Sequence, residues 1–455
     1  MYIVILIIII IIFLVMYNIN NNKIYDFASI MSATPKLIII PESYNELQNI
    51  LIKNYNSKTP LKISLRGACY SHGGQTMNND NICISLDKFK DINLTPDITV
   101  TVSAGVIWHD LITYLDDYNL SVAEMQSYCN FNICASISVN AHGRGIKYGT
   151  VGDSVTKLKC MLSNGDIITV FPNEDIFKAI VGGYGGIAII LEATLKIDCN
   201  YKIKRIVEIS NDFKFDQNNK NLIFYNTYVY PTNEKKYVNI YWVKTDDKLT
   251  ITDRVKPINN FYFSNIFFEQ LVRRLTSMKY LRSLIEPDML QEEEIVMRNY
   301  EMSLDVNELY MPLKYPTTAI LQEYFIPIKK AHDFIPKFWK IIKDNGVNLL
   351  NLSIRFVKKT SVSILNYAKD DMFAFVLYLN VGNNSWSYDC LKEWTQQMID
   401  VAINLSGTYY LPYLPLATKE QFRLSYPNYK EYLIIKKKYD NKNILSNLFI
   451  EEYLN

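Results

Sequence analysis

The chain lacks several features that would assign it quickly to a chemical class. Its seven cysteines form no Cys-x-x-Cys pair and are odd in number, which argues against a disulfide framework and a zinc module. It has four histidines, few for a metal site, and a formal net charge of +2 leaves no basic field for nucleic acid. It has no internal repeat, no G-x-x-x-x-G-K-S/T run and no G-x-G-x-x-G opening a helix. A P-loop NTPase and a Rossmann domain are therefore excluded.

One long apolar run stands at the start of the chain. Residues 1–17 carry no charged side chain, and as a helix they would reach roughly 25 Å. There is no basic stretch before this run and no small-residue cleavage site after it, so an uncleaved anchor is favoured over a cleaved leader. We therefore expect a membrane-anchored protein with a single N-terminal span, followed by a linker at 18–27.

The densest local signal is the stretch LRGACYSHGGQT, residues 65–76, which follows a strand-like alternation. A metal site is disfavoured because Cys69 and His72 form an isolated pair, and adjacency in sequence does not make them a catalytic pair. Glycines instead allow backbone N–H groups to approach an anion closely. The stretch therefore predicts a phosphate-binding loop, with a tight connection that binds nothing as the alternative.

Two later segments are also rich in small residues. Residues 132–153 read NICASISVNAHGRGIKYGTVGD, and residues 181–197 read VGGYGGIAIILEATLKI. Small side chains let a large flat ligand lie against backbone, while Ser and Asn supply hydrogen bonds. The alternative for the first segment is a seam of close packing.

Together these segments resemble the FAD-binding domain of the vanillyl-alcohol oxidase and p-cresol methylhydroxylase superfamily. The run RGACYSHGGQ resembles its R-G-x-G-H-S-x-x-G-Q loop, while CASISVNAHGRG with YGTVGD and GGYGGIAIILEATLKI resemble its second and third motifs. The ending KKKYDNKNILSN, residues 436–447, resembles the family's C-terminal motif. The superfamily includes aldonolactone oxidases, sugar and alditol oxidases, cytokinin dehydrogenases and decaprenylphosphoryl-ribose oxidases.

The resemblance implies FAD as the cofactor and a set of residues that bind it. Many members attach FAD covalently through the histidine of G-x-G-H-S, but Tyr70 and Cys69 stand in this chain where those members have histidine and glycine. Noncovalent FAD is therefore favoured, with a link through His72 as the main alternative. The implied FAD-binding residues are Arg66, Gly67, Ala68, Cys69, Tyr70, Ser71, His72, Gly73, Gln75, Ser136, Ser138, Asn140, His142, Gly143, Gly149, Val151, Asp153, Gly186, Ile189 and Asn447.

The predicted fold class is α+β. Strand-like runs alternate with helices beyond residue 200, which indicates a sheet covered by helices. The resemblance implies a two-part FAD-binding domain at 28–200, a substrate domain with an antiparallel sheet at 201–405, and a C-terminal segment at 406–455 that returns to the FAD domain.

The implied function is transfer of a hydride from an alcohol carbon of a sugar, lactone or polyol onto flavin N5, with reoxidation by oxygen or another acceptor. The residues expected to face the substrate are Gln322, Tyr324, Arg355, Tyr378 and Tyr413. Gln322 and Tyr324 lie two apart and so share one side of a strand. Two alternatives stay open: a 2-hydroxy-acid dehydrogenase, which would need clustered arginines, and a flavin-binding structural protein with little turnover.

Overall fold

The computed structural model describes residues 23–258, 275–306 and 316–455. The expected anchor at 1–17 lies outside these residues, and no helix within them is long and apolar enough to cross a bilayer. The prediction of a membrane-anchored protein with a single N-terminal span is therefore corrected, because nothing in the described chain supports it.

Strands and helices contribute about equally, which confirms the α+β prediction. The strands are β1 (Ile24–Tyr25), β2 (Ser32–Ala33), β3 (Leu37–Ile39), β4 (Ile63–Arg66), β5 (Ile82–Ser85), β6 (Ile92–Leu94), β7 (Thr99–Ser103), β8 (Leu120–Val122), β9 (Val155–Met161), β10 (Ile167–Val170), β11 (Ile189–Cys199), β12 (Lys202–Ser210), β13 (Leu222–Tyr230), β14 (Asn233–Lys244), β15 (Ile295–Met297), β16 (Thr317–Pro327), β17 (Leu349–Val357), β18 (Met372–Gly382) and β19 (Thr408–Tyr409).

The helices are α1 (Tyr44–Tyr55), α2 (Trp108–Asp116), α3 (Ile133–Ser138), α4 (Asp175–Ile180), α5 (Thr276–Leu290), α6 (Arg298–Met302), α7 (Ala331–Asp344), α8 (Ser385–Asn404), α9 (Lys419–Ser425), α10 (Tyr429–Tyr439) and α11 (Leu448–Tyr453). Local sequence explains several of their ends. Ser43 caps α1 by accepting from the backbone N–H of Glu46 at 3.2 Å, and Asn384 caps α8 by accepting from Ser387 N at 2.9 Å.

The first half of the chain builds two sheets of different kinds. Strands β3, β5 and β4 form a parallel sheet in that order, with α1 connecting β3 to β4. Strands β10, β9, β11, β7 and β6 form an antiparallel sheet, with β8 paired to β11. A hairpin at Asn164-Gly165 joins β9 to β10, and Gly165 takes the positive φ of 90° that such a turn requires.

The second half forms an eight-stranded antiparallel sheet. Its order is β15-β12-β14-β13-β17-β18-β16-β19. Apolar side chains of α7, including Phe334 and Phe338, are fully buried, and Phe334 packs against Phe375 of β18. The sheet is therefore covered by helices on one face, as predicted, and its other face is available to line a site.

The end of the chain packs back against its first half. Leu445 pairs with Ile63 of β4 in a parallel bridge, and the buried ammonium of Lys436 donates to Gly186 O at 2.7 Å. Asn447 donates to Tyr184 O at 2.8 Å. These contacts fix the third glycine-rich segment against the C-terminal motif.

Candidate active site

A cavity of about 910 Å³ lies between the glycine-rich loops and the uncovered face of the eight-stranded sheet. Its walls come from residues 67–72, from residues 126–142 and from six sheet strands. The first loop and the small-residue segment, both predicted to bind the same ligand, therefore line one cavity.

The first wall is the loop that follows β4. Residues 67–72 all line the cavity, so the six central residues of the predicted FAD loop are together there. Cys69 adopts a positive φ of 62°, and its sulfur accepts from Arg66 Nε at 3.0 Å. This bond explains how a cysteine is held in a conformation that favours glycine, since the guanidinium fixes the side chain.

The second wall is the small-residue segment around α3. Ala135, Ser136, Ala141 and His142 line the cavity. A Cβ atom added to Gly67 would lie 3.1 Å from Ala135 Cβ, so the two loops are in close contact. Bulky side chains here would fill the space between them.

The other predicted FAD-binding residues lie behind these walls and do not line the cavity. Gln75 holds the first loop by accepting from Gly73 N at 2.9 Å and donating to Leu411 O at 2.7 Å. The remaining members of this group are Arg66, Gly73, Ser138, Asn140, Gly143, Gly149, Val151, Asp153, Gly186, Ile189 and Asn447. Asp153, for example, accepts from Thr360 Oγ1 at 2.7 Å and so ties the segment to a loop after β17.

The floor of the cavity is the face of six strands, β12, β14, β13, β17, β18 and β16. Neighbouring strands lie about 4.8 Å apart, so the floor from β12 to β16 extends roughly 24 Å. Such a floor is much longer than one sugar ring.

A buried acid–base pair stands at the β16 end. Glu323 of β16 and His142 of the second wall approach to 2.6 Å between Oε1 and Nε2, with side chains only 2% and 3% exposed. The other ring nitrogen of His142 lies 3.3 Å from Gly143 O. A contact of 2.6 Å between these atoms requires a shared proton, so the pair can hold or release one proton.

Three of the residues expected to face the substrate, Tyr413, Arg355 and Tyr378, line the cavity. Burial first, and then the Glu323 charge, raise the pKa of Tyr413 well above its usual value, while Arg355 opposes the rise. Tyr413 therefore stays protonated and can donate a hydrogen bond. Arg355 donates to Ser127 Oγ at 2.7 Å and has no acidic ion-pair partner among the described residues.

The predicted positions of Gln322 and Tyr324 are corrected. Neither side chain lines the cavity; Tyr324 is buried on the helix-covered face, where its ring packs near Phe334 of α7. The residue between them, Glu323, points into the cavity instead. Side chains alternate along β16, so Gln322 and Tyr324 lie on the side of the strand opposite Glu323.

Charged residues at the β12 end neutralise one another. Arg144 pairs with Glu301, and Arg205 pairs with Glu294. Arg282 of α5 donates to Glu286 at 2.6 Å. These three arginines are thus already paired with glutamates, whereas Lys256, which also lines the cavity, lies 4.7 Å from the centroid of the Tyr300 ring.

The wall residues fit FAD. Glycine, alanine and serine backbone surrounds the first part of the cavity, which suits a flat ring system and the close approach of a pyrophosphate. This pair of walls, facing an antiparallel substrate sheet, defines an FAD-binding protein of the vanillyl-alcohol oxidase class.

Comparison with known families agrees: residues 35–170 match the FAD binding domain, and residues 187–454 match the D-arabinono-1,4-lactone oxidase family. The chain belongs to the D-arabinono-1,4-lactone oxidase family.

Individual relatives carry related names. A candidate D-arabinono-1,4-lactone oxidase of Neurospora crassa is 30% identical over 174 residues, covering 37% of this chain and 31% of its own length. The D-arabinono-1,4-lactone oxidase of Candida albicans is 23% identical over 358 residues, 70% of this chain and 61% of its own. The mitochondrial cytochrome D-lactate dehydrogenase of Arabidopsis thaliana is 26% identical over 179 residues, 36% and 30% respectively. The chain thus matches less than two thirds of each relative's length.

Proposed function

We propose that this protein is an FAD-dependent oxidoreductase that oxidises an alcohol carbon of a sugar-lactone substrate. The observation that carries the proposal is the placement of the Glu323–His142 pair, Tyr413 and Arg355 in the same cavity as the FAD loops. When bound, FAD supplies the acceptor for the hydride that leaves the alcohol carbon. Membership of the lactone oxidase family supports the substrate class.

Glu323 and His142 would manage the proton of the substrate hydroxyl. The hydroxyl proton would pass to the carboxylate of Glu323, while the proton shared at 2.6 Å stays with His142 Nε2, which donates it to Glu323 Oε1. Burial of both side chains keeps bulk water from competing for that position. Tyr413, held neutral by burial, would donate to a substrate oxygen and orient the ring.

Arg355 would bind the lactone carbonyl. A 2-hydroxy-acid substrate would favour several free arginines, and the cavity does contain four, Arg144, Arg205, Arg282 and Arg355. Three of them already pair with glutamates. Arg355 is the single guanidinium left available, and one guanidinium suits a neutral lactone carbonyl better than it suits a full carboxylate. This supports a lactone substrate over a 2-hydroxy acid.

The domain bounds are part of this proposal. Residues 28–200 and 406–455 would bind FAD together, and residues 201–405 would provide the substrate sheet. The bonds from Lys436 to Gly186 O and from Asn447 to Tyr184 O support this division. Tyr378 of β18 would complete the substrate side of the cavity.

Purified protein containing FAD should test the function directly. We expect D-arabinono-1,4-lactone or a related sugar lactone to bleach the flavin absorbance under anaerobic conditions, and D-lactate to bleach it poorly. A protein that binds no FAD, or whose flavin no lactone or polyol bleaches, would contradict the proposal. Rapid bleaching by D-lactate alone would favour the hydroxy-acid dehydrogenase.

A further inference from the structure

The end of the cavity below α5 is apolar, although the proposed chemistry is at the other end. Leu281, Ile285 and Met289 are spaced four residues apart and so lie on one side of α5, and all three line the cavity. Their exposed fractions are 42%, 50% and 62%. An apolar stripe this exposed inside a cavity is typical of a ligand-binding surface.

The opposing surface is also apolar. Trp242 and Ile240 of β14, the strand beside β12, also line the cavity. The charged side chains nearby are paired, Arg205 with Glu294 and Arg282 with Glu286. Lys256 also lines the cavity, with its ammonium 4.7 Å from the centroid of the Tyr300 ring. The apolar side chains of α5 and β14 therefore favour an apolar ligand group between them.

This apolar end is continuous with the proposed catalytic end. Both lie on the same six-strand floor, which extends roughly 24 Å from β12 to β16. A lone sugar lactone at Glu323 would leave the β12 end of this floor uncovered. The geometry favours a ligand long enough to reach from one end toward the other.

We propose that the cavity accepts an alcohol whose polar sugar head is joined to an apolar chain, with the chain lying between α5 and β14. The inference rests on the proposed function only for the position of the head. The sugar contacts Glu323, Tyr413 and Arg355, and the apolar chain contacts Leu281, Ile285 and Met289.

The test is a chain-length series on FAD-loaded protein. Dissociation constants are measured by titration calorimetry for n-alkyl D-arabinosides with one, four, six and eight carbons, below their critical micelle concentrations. Each added methylene should tighten binding about two- to fourfold, because each buries more apolar surface. A flat dependence on chain length would overturn the proposal.

Matched variants on α5 locate the effect. Ile285→Glu and Met289→Glu place a charge on the cavity side and should flatten the chain-length dependence. Leu284→Glu is the control, since Leu284 is similarly exposed at 48% but does not line the cavity, and it should keep the wild-type dependence. Equal loss in Leu284→Glu would overturn the assignment to this wall.

The two proposals fail in different ways. Binding is measured without turnover, so a normal chain-length dependence with no flavin bleaching by any sugar would contradict only the proposed function. Bleaching by a small lactone with no chain-length dependence would contradict only the apolar site.

Discussion

Glu323 Oε1 lies 2.6 Å from His142 Nε2, and this contact joins the substrate sheet to the second FAD segment. The two residues are 181 positions apart in the chain. Both side chains are almost fully buried, so the proton they share is insulated from bulk water. A buried carboxylate that links the two halves of the site and can accept a proton suits the role of base in alcohol oxidation.

Replacing Glu323 tests that role most directly. Glu323→Gln keeps the shape but removes the basic oxygen, so we expect the rate of flavin bleaching to fall at least about a hundredfold with FAD content unchanged. Tyr324→Phe is the matched control. The Tyr324 side chain is next to Glu323 in sequence but lies on the helix-covered face, so this substitution should leave the rate of flavin bleaching nearly constant. Equal rates in Glu323→Gln and wild type would exclude the proposed base.

A second prediction concerns Arg355. Arg355→Met should raise the KM for a lactone about tenfold or more while changing kcat less, because it removes a charged donor to the substrate carbonyl. Ser127→Ala removes only the hydroxyl that accepts from Arg355 at 2.7 Å, so its KM should rise less. Steady-state kinetics with one lactone measures both; an unchanged KM in Arg355→Met would place the carbonyl elsewhere.

Local patterns in the sequence located the FAD loops because each motif is a contiguous run with its own backbone requirement. Residues 67–72 line the cavity as the motif predicts. The substrate side was harder to predict, since alternation along β16 defines two faces without saying which is covered by α7. The contact between Arg144 and Glu301 spans 157 residues, so only the fold could show that this arginine is already paired.

Glu124 should make stability depend on pH. Burial, opposed by the nearby Arg298, raises the pKa of this carboxyl from 4.5 to about 8. Its folded-state pKa is raised, so its contribution to stability is complete below about 4.5 and is lost as pH rises through 8. Within that window the free energy of unfolding should fall by at most ~1.4 kcal/mol per pH unit from this group.

Urea unfolding between pH 5 and pH 9 measures this dependence. Glu124→Gln, which cannot ionise, should flatten the decline. Glu431→Gln, on the exposed side of α10, is the control for replacing a carboxylate with an amide, and it should keep the wild-type decline in the free energy of unfolding. A wild-type stability that rises through this window would contradict the assignment.

The ammonium of Lys436 should be essential for stability. It is buried and donates to Gly186 O, Leu445 O and Asp440 Oδ2 at 2.7, 2.7 and 2.9 Å. Lys436→Met would leave Asp440 buried without its cation, which costs about 3 kcal/mol or more in free energy of unfolding. The double variant with Asp440→Asn should lose less than the sum of the two single losses; simple additivity would show that the two residues act independently.

The loop around Tyr70 predicts that FAD is held without a covalent bond. Tyr70 stands where many relatives of this superfamily bond their histidine to the flavin, and its ring packs against Phe131 with centroids 4.6 Å apart. For His72 to take that position the loop would have to slip by two residues. That slip would break the bonds from Phe27 N to Ser71 O at 3.1 Å and from His72 N to Pro412 O at 3.2 Å. Acid precipitation should therefore release the yellow colour into the supernatant, and His72→Ala should release it equally. Colour retained in the wild-type pellet but lost from His72→Ala would instead identify His72 as the point of attachment.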